Sequence, residues 1–169
     1  MTTFATLAAV LVFPSLMIYV GLMDLTSMQI RNWLICLLVA SYAVLAPLAG
    51  IGLQEMGLSV VVGAAVLVVA FVFFGFGWIG GGDAKLASVT ALWLGADHTL
   101  VYLLYAAVLG GGLTIGLLMF RTVMIPLSWH RQKWIDRLHA SETGIPYGVA
   151  MAAAALIVFE QTQWVKNFL

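Results

Sequence analysis

A chain of 169 residues that is 63% hydrophobic and 8% charged has too little charge to coat a water-soluble globule of its size, and its mean hydropathy of +1.09 points to an integral membrane protein. The formal net charge is +0 and no basic stretch is dense enough for nucleic acid. The single cysteine, Cys36, excludes an intrachain disulfide and a thiolate zinc cluster; inside an apolar run it is expected to be a buried small hydrophobe.

The chain reads as one polytopic domain over residues 1–169, an all-α bundle of six transmembrane helices. The first apolar segment, 6–23, covers about 27 Å at the helical rise, enough for most of a bilayer core. No Lys or Arg precedes it and no Ala-x-Ala-like site comes before Asp24, so it is expected to be retained rather than cleaved as a signal. Asp24 ends it, and Arg31 and Asn32 mark the polar break. The second segment is 33–49, followed by a short loop, 50–57, holding Glu55. The third, 58–76, carries no charged residue.

A glycine break follows, with Gly75, Gly77, Gly80, Gly81 and Gly82. The fourth segment, 83–95, is short, about 20 Å. Asp97 and His98 make the next turn, and 100–120 is the fifth segment. It contains Gly112 and Gly116 in a Gly-x-x-x-Gly spacing suited to close helix packing, within one copy or between copies of a homo-oligomer. Arg121 opens the long polar connection to Gly144. Residues 128–139 are expected to form a helix on the cytoplasmic membrane surface, with Leu127, Trp134, Ile135 and Leu138 on its apolar face. The sixth segment is 146–164, and Pro146 suits a first helical turn. His98, His130 and His139 lack metal-ligand spacing and read as surface residues.

Six spans with an outer amino terminus put Arg31, Lys85, Arg121, Arg131, Lys133 and Arg137 inside and Lys166 alone outside, the asymmetry of the positive-inside rule. Asp24 and Asp83 then sit at cytoplasmic helix ends of antiparallel spans. Acids at membrane-helix ends are costly and are functional candidates by default. Two carboxylates brought together share a proton, because both cannot readily ionise at once. One can then take a proton from water while the other donates to a peptide carbonyl or to the leaving amine. The helix dipole favours charge on Asp83, near a helix start, over Asp24, near a helix end, so the shared proton is expected on Asp24. The glycines allow close backbone approach and positive φ around an unwound substrate, and non-helical backbone at membrane depth is tolerable where it lines a cavity.

These residues carry a resemblance. Gly80-Gly81-Gly82-Asp83, continued by Ala84-Lys85-Leu86, is similar to the Gly-x-Gly-Asp motif of the prepilin peptidases, membrane aspartic proteases. Asp24 with Ile30-Arg31-Asn32 resembles the family's other aspartate and its downstream Ile-x-Asn, and Gly144-Ile145-Pro146-Tyr147-Gly148 resembles the segment before the last span. The chain looks most like the short form of tight-adherence (Flp-type) pilus systems. The resemblance implies an aspartic endopeptidase of the inner membrane that cuts the basic leader from prepilins at the cytoplasmic face. Asp24 and Asp83 carry over as the catalytic pair, with Gly80, Gly82, Lys85 and Asn32 supporting or touching substrate. No cofactor or metal is implied. Longer members have an amino-terminal cytoplasmic insertion with paired cysteines, and many also methylate the new pilin amino terminus. Here the link from Asp24 to Trp33 is short and Cys36 stands alone, so zinc binding through that insertion is excluded and methyltransferase activity is expected to be absent.

Two other classes compete. In a small transporter or channel subunit the aspartates would bind a proton or cation between broken helices, although such sites usually lie near the midplane. In an assembly factor they would hold partner helices.

Overall fold

The computed structural model describes residues 2–124, 126 and 132–166. Seven helices are present among them: α1 (Thr2–Ser27), α2 (Asn32–Leu48), α3 (Leu53–Gly75), α4 (Gly81–Thr122), α5 (Lys133–His139), α6 (Tyr147–Phe159) and α7 (Gln163–Lys166). No strand occurs among the described residues. By length and composition α1, α3 and α4 can each cross a membrane; α2 and α6 are apolar but shorter, at 17 and 13 residues.

Helix α4 is bent at Gly95, whose φ of 74° and ψ of 179° are non-helical. Its arms, 81–94 and 96–122, meet where the sequence reading separates the fourth segment from the fifth. The helices pack in the order α3, α4, α6, α1, α2, with α2 also touching α4. Helices α3 and α4 approach closely at Gly63: Ser88 Oγ donates to Gly63 O at 2.8 Å, and a Cβ on Gly63 would lie 3.2 Å from Ser88 O. That close approach suits a small residue in a helix interface.

The core is aromatic. Phe13 of α1 lies between Trp93 and Phe159, with ring centroids 5.0 and 4.5 Å away. Trp93 Nε1 donates to Leu38 O and Trp164 Nε1 donates to Trp93 O, both at 2.9 Å, so these buried indoles are satisfied. This arrangement also changes the last segment. Residues 146–164 do not form one helix: α6 ends at Phe159, the chain turns, and Trp164 folds back onto Trp93.

Other expectations shift by smaller amounts. Helix α1 continues past Asp24 to Ser27, and Glu55 belongs to the first turn of α3 rather than to a loop. Cys36 is exposed, not buried. Leu34, Leu38, Tyr42 and Ala46 form the inward stripe of α2 at four-residue spacing, and residue 36 falls off that stripe. Among the described residues a Cβ on Gly112 or Gly116 would meet nothing within 4 Å, so this pair makes no close helix packing with them. Of the stretch 128–139, the described part forms a helix over Lys133–His139, in which Leu138 is buried and Trp134 is exposed. Its predicted start, with Leu127, His130 and Arg131, lies outside the described residues.

Candidate active site

The inward stripe of α1 runs through Ala9, Phe13, Met17 and Val20, and Asp24 continues it. The helical period that buries the core residues thus also carries this carboxylate inward, leaving it 5% exposed. Asp83 arrives from the other side, in the first turn of α4, three residues after the N-cap residue Gly80. Its side chain folds back over that glycine: a Cβ on Gly80 would stand 2.8 Å from Asp83 Oδ2. This is the position from which an acidic residue reaches the helix start in a capping box.

Both carboxylates border one cavity of about 860 Å³, together with the glycine run 80–82 and the link 28–32 between α1 and α2. Gly82 lets that link come close, since a Cβ there would lie 3.2 Å from the Ile30 Cβ. Positive φ is not found in the run itself; it falls just before it, at Gly77, with φ of 73°. Lys85 turns away from Asp83 and donates to Asn32 Oδ1 at 2.9 Å, tying the start of α4 to the start of α2.

Two residues important to this geometry, Gly148 and Arg121, were not among the site residues expected from the sequence. The backbone N–H of Gly148, in the first turn of α6, donates to Asp24 Oδ2 at 2.7 Å. Asp24 therefore faces the amino-terminal end of a helix other than its own, and the helix-end argument that set it apart from Asp83 no longer separates the two. Gly148 is required there: a Cβ would fall 2.7 Å from Asp24 Oδ2 and 3.0 Å from its Cβ. Arg121 holds the segment leading to that helix. Its guanidinium donates to Leu138 O, Thr143 O, Thr143 Oγ1 and Gly144 O at 2.9 to 3.1 Å. The sequence signal for Gly148 was present in the 144–148 motif, but nothing local said which carboxylate it would meet. Arg121 was visible only as a topological charge.

Fold and site together define a helix bundle with membrane-length apolar helices that presents two carboxylates to one polar cavity. Residues 11–115, more than half of the chain, match the model of the type IV leader peptidase family, and the chain belongs to that family, which makes it a protease of the leader-peptidase type. The matched region contains both Asp24 and Asp83, while Gly148 lies beyond it. No curated protein and no solved structure matches the chain.

Proposed function

We propose that this chain is an aspartic leader peptidase that cuts the basic leader from type IV prepilins, of the Flp type, at the cytoplasmic face of the inner membrane. Asp24 and Asp83 activate the water. The observation that carries the reading is that these carboxylates, from helices α1 and α4, border a single cavity. In the first step the ionised carboxylate takes a proton from water and the oxygen adds to the peptide carbonyl carbon. The protonated partner donates to the carbonyl oxygen. On collapse of the tetrahedral intermediate the C–N bond breaks as the carboxyl that took the water's proton gives it to the leaving amine, and the other carboxylate takes a proton back from the intermediate's hydroxyl. The pair then titrates as a unit. Gly80 and Gly82 let Asp83 and Ile30 pack close against the glycine run, while Lys85 and Asn32 hold the cavity wall.

The membrane arrangement belongs to the same proposal: six crossings, counting the two arms of α4 separately, with the amino terminus outside and α5 on the cytoplasmic surface. Methylation of the product is not part of the reaction. The test is the purified chain in detergent with a synthetic prepilin, read by product mass, which reports the bond cut and any added methyl group. Asp24→Asn and Asp83→Asn keep side-chain shape and are each expected to lower the rate about 10²–10⁴-fold, the usual range for loss of a general acid or base. Cleavage at the parent rate by either variant would end the dyad. Proton flux without proteolysis would favour the transporter.

A further inference from the structure

A smaller cavity, about 230 Å³, lies at the other end of the bundle from the carboxylate pair, with the arm 81–94 of α4 running from one to the other. It forms where α2 ends, α3 begins, α4 bends at Gly95 and the chain turns from α6 into α7. Tyr42, Trp93 and Trp164 line its buried side, and Tyr42 stands edge-on to both indoles, with ring centroids 5.7 and 6.1 Å away. Glu55, Leu58 and Asp97 are exposed and set its mouth at the surface. Its size is below the roughly 300–1,000 Å³ of drug-sized pockets, so it suits one small group.

The chemistry of the lining is one-sided. Glu55 and Asp97 both border the space, and among the described residues no Lys or Arg does. Neither carboxylate has a hydrogen-bond or ion-pair partner among the described residues. Tyr42 and Ser59 also border it, at 4% and 8% exposed, and their hydroxyls lie close to each other. Two hydroxyls facing one another form one hydrogen bond between them, so lone pairs and one O–H stay available to an occupant.

These features select the occupant. An anion would meet two carboxylates. An apolar group would strip them of water without compensation. A bare metal ion would lack ligands, because among the described residues no three His, Cys, Asp or Glu side chains are grouped to hold one. An organic cation satisfies both halves of the cavity: the carboxylates and hydroxyls take its charge and N–H groups, and the aromatic rings take its carbon atoms.

We propose that this cavity binds an alkylammonium group, carried by a phospholipid headgroup or by a free amine. Leu53 and Leu100, both exposed and close in the chain to Glu55 and Asp97, join Leu58 in bringing apolar surface up to the rim. In the six-crossing arrangement the mouth then lies at the headgroup level of the outer leaflet, within reach of a lipid amine. An occupant there touches the ends of α2, α3 and α7 and the bend of α4 at once, and so stabilises the folded bundle. The site is separate from the carboxylate cavity, and its existence does not depend on the peptidase reading.

The experiment uses the full chain in detergent. It is titrated with short-chain phosphatidylethanolamine, with ethanolamine, and with short-chain phosphatidylglycerol, whose headgroup carries a hydroxyl in place of the amine. The readouts are unfolding temperature and, by native mass spectrometry, lipid retained on the chain. The amine lipid is expected to raise the unfolding temperature to a plateau and to be retained, while the hydroxyl lipid does neither. A plateau with ethanolamine alone shows that a free amine suffices; a plateau with the amine lipid only assigns the site to lipid. Glu55→Gln combined with Asp97→Asn, both at exposed positions, is expected to weaken amine binding by about tenfold and to leave cleavage of a precursor unchanged. Equal responses to the amine and hydroxyl lipids, a comparison that needs no variant, overturn the proposal. So does a doubly substituted chain that binds the amine as tightly as its parent.

Discussion

Gly148 and Asp24, 124 positions apart in the chain, are joined by a 2.7 Å hydrogen bond from the glycine N–H to Asp24 Oδ2. The contact fixes where one carboxylate points, and it depends on the absence of a side chain at residue 148. An added methyl group would overlap the Asp24 carboxylate and crowd its Cβ, which cannot swing away as a chain end could. Gly148→Ala is therefore expected to displace Asp24 and cut the processing rate by about 10²-fold, the scale set by small misplacement of reacting groups. The variant should keep its helical circular dichroism. Steady-state cleavage of a synthetic precursor checks it, and a rate within twofold of the parent would mean that Asp24 needs no such positioning.

Arg121 acts one step further from the chemistry. Its bonds to Leu138 O, Thr143 and Gly144 O organise the turn from which α6 starts, and α6 presents Gly148 to Asp24. Hydrogen bonds to charged groups each contribute about 1.5–3 kcal/mol. Since several share one guanidinium and do not add, Arg121→Ala is expected to cost about 2–4 kcal/mol in unfolding experiments in detergent. It is also expected to lower kcat more than it raises KM. Arg121→Lys should recover little, because an ammonium cannot span the fork of acceptors. Full recovery by lysine would reduce Arg121 to a topological charge.

The two cases show where sequence was informative. Asp24 and Asp83 stood out because charge is scarce in this chain and each ends an apolar run. The core stripe of α1, Ala9, Phe13, Met17 and Val20, was not legible, since its neighbours on that helix are apolar too. The break at Gly95 was readable from a short segment ending in glycine. Other features arise only from tertiary packing. Trp164 abandons a continuous helix to stack and hydrogen-bond on Trp93. Cys36 faces outward because neighbours settle which side of α2 is inside. Every face of such a helix is apolar, so hydropathy alone cannot orient it.

Tyr102 offers a test of a different kind. Its hydroxyl and that of Thr90 are buried close to each other, and neither makes a hydrogen bond of good geometry among the described residues. A poorly satisfied buried polar group costs up to about 1–3 kcal/mol, so removing it is expected to help folding. Tyr102→Phe should keep the ring and raise stability by about 1 kcal/mol with cleavage unchanged. Unfolding in detergent and a cleavage assay measure the two quantities separately. Lower activity without gain in stability would mean that the hydroxyl is used during the reaction.

The bend at Gly95 gives the last prediction. Its φ of 74° with ψ of 179° is backbone that only glycine adopts without strain. The space itself is not the obstacle, because the nearest neighbour of an added Cβ, Ser59 Oγ, would stand at 3.5 Å, an ordinary contact. The cost of Gly95→Ala is therefore conformational, about 1–3 kcal/mol. Straightening of α4 would relieve it, but would pull residues 96–122 away from α6 and Tyr147 from its place across Gly110. The expected result is lower stability and lower cleavage together, although residue 95 does not border the carboxylate cavity. Gly95→Asn should lose as much as Gly95→Ala, because ψ of 179° lies outside the left-handed α region that Asn tolerates. A Gly95→Asn variant that kept the parent's stability would mean that the backbone there relaxes to an ordinary conformation.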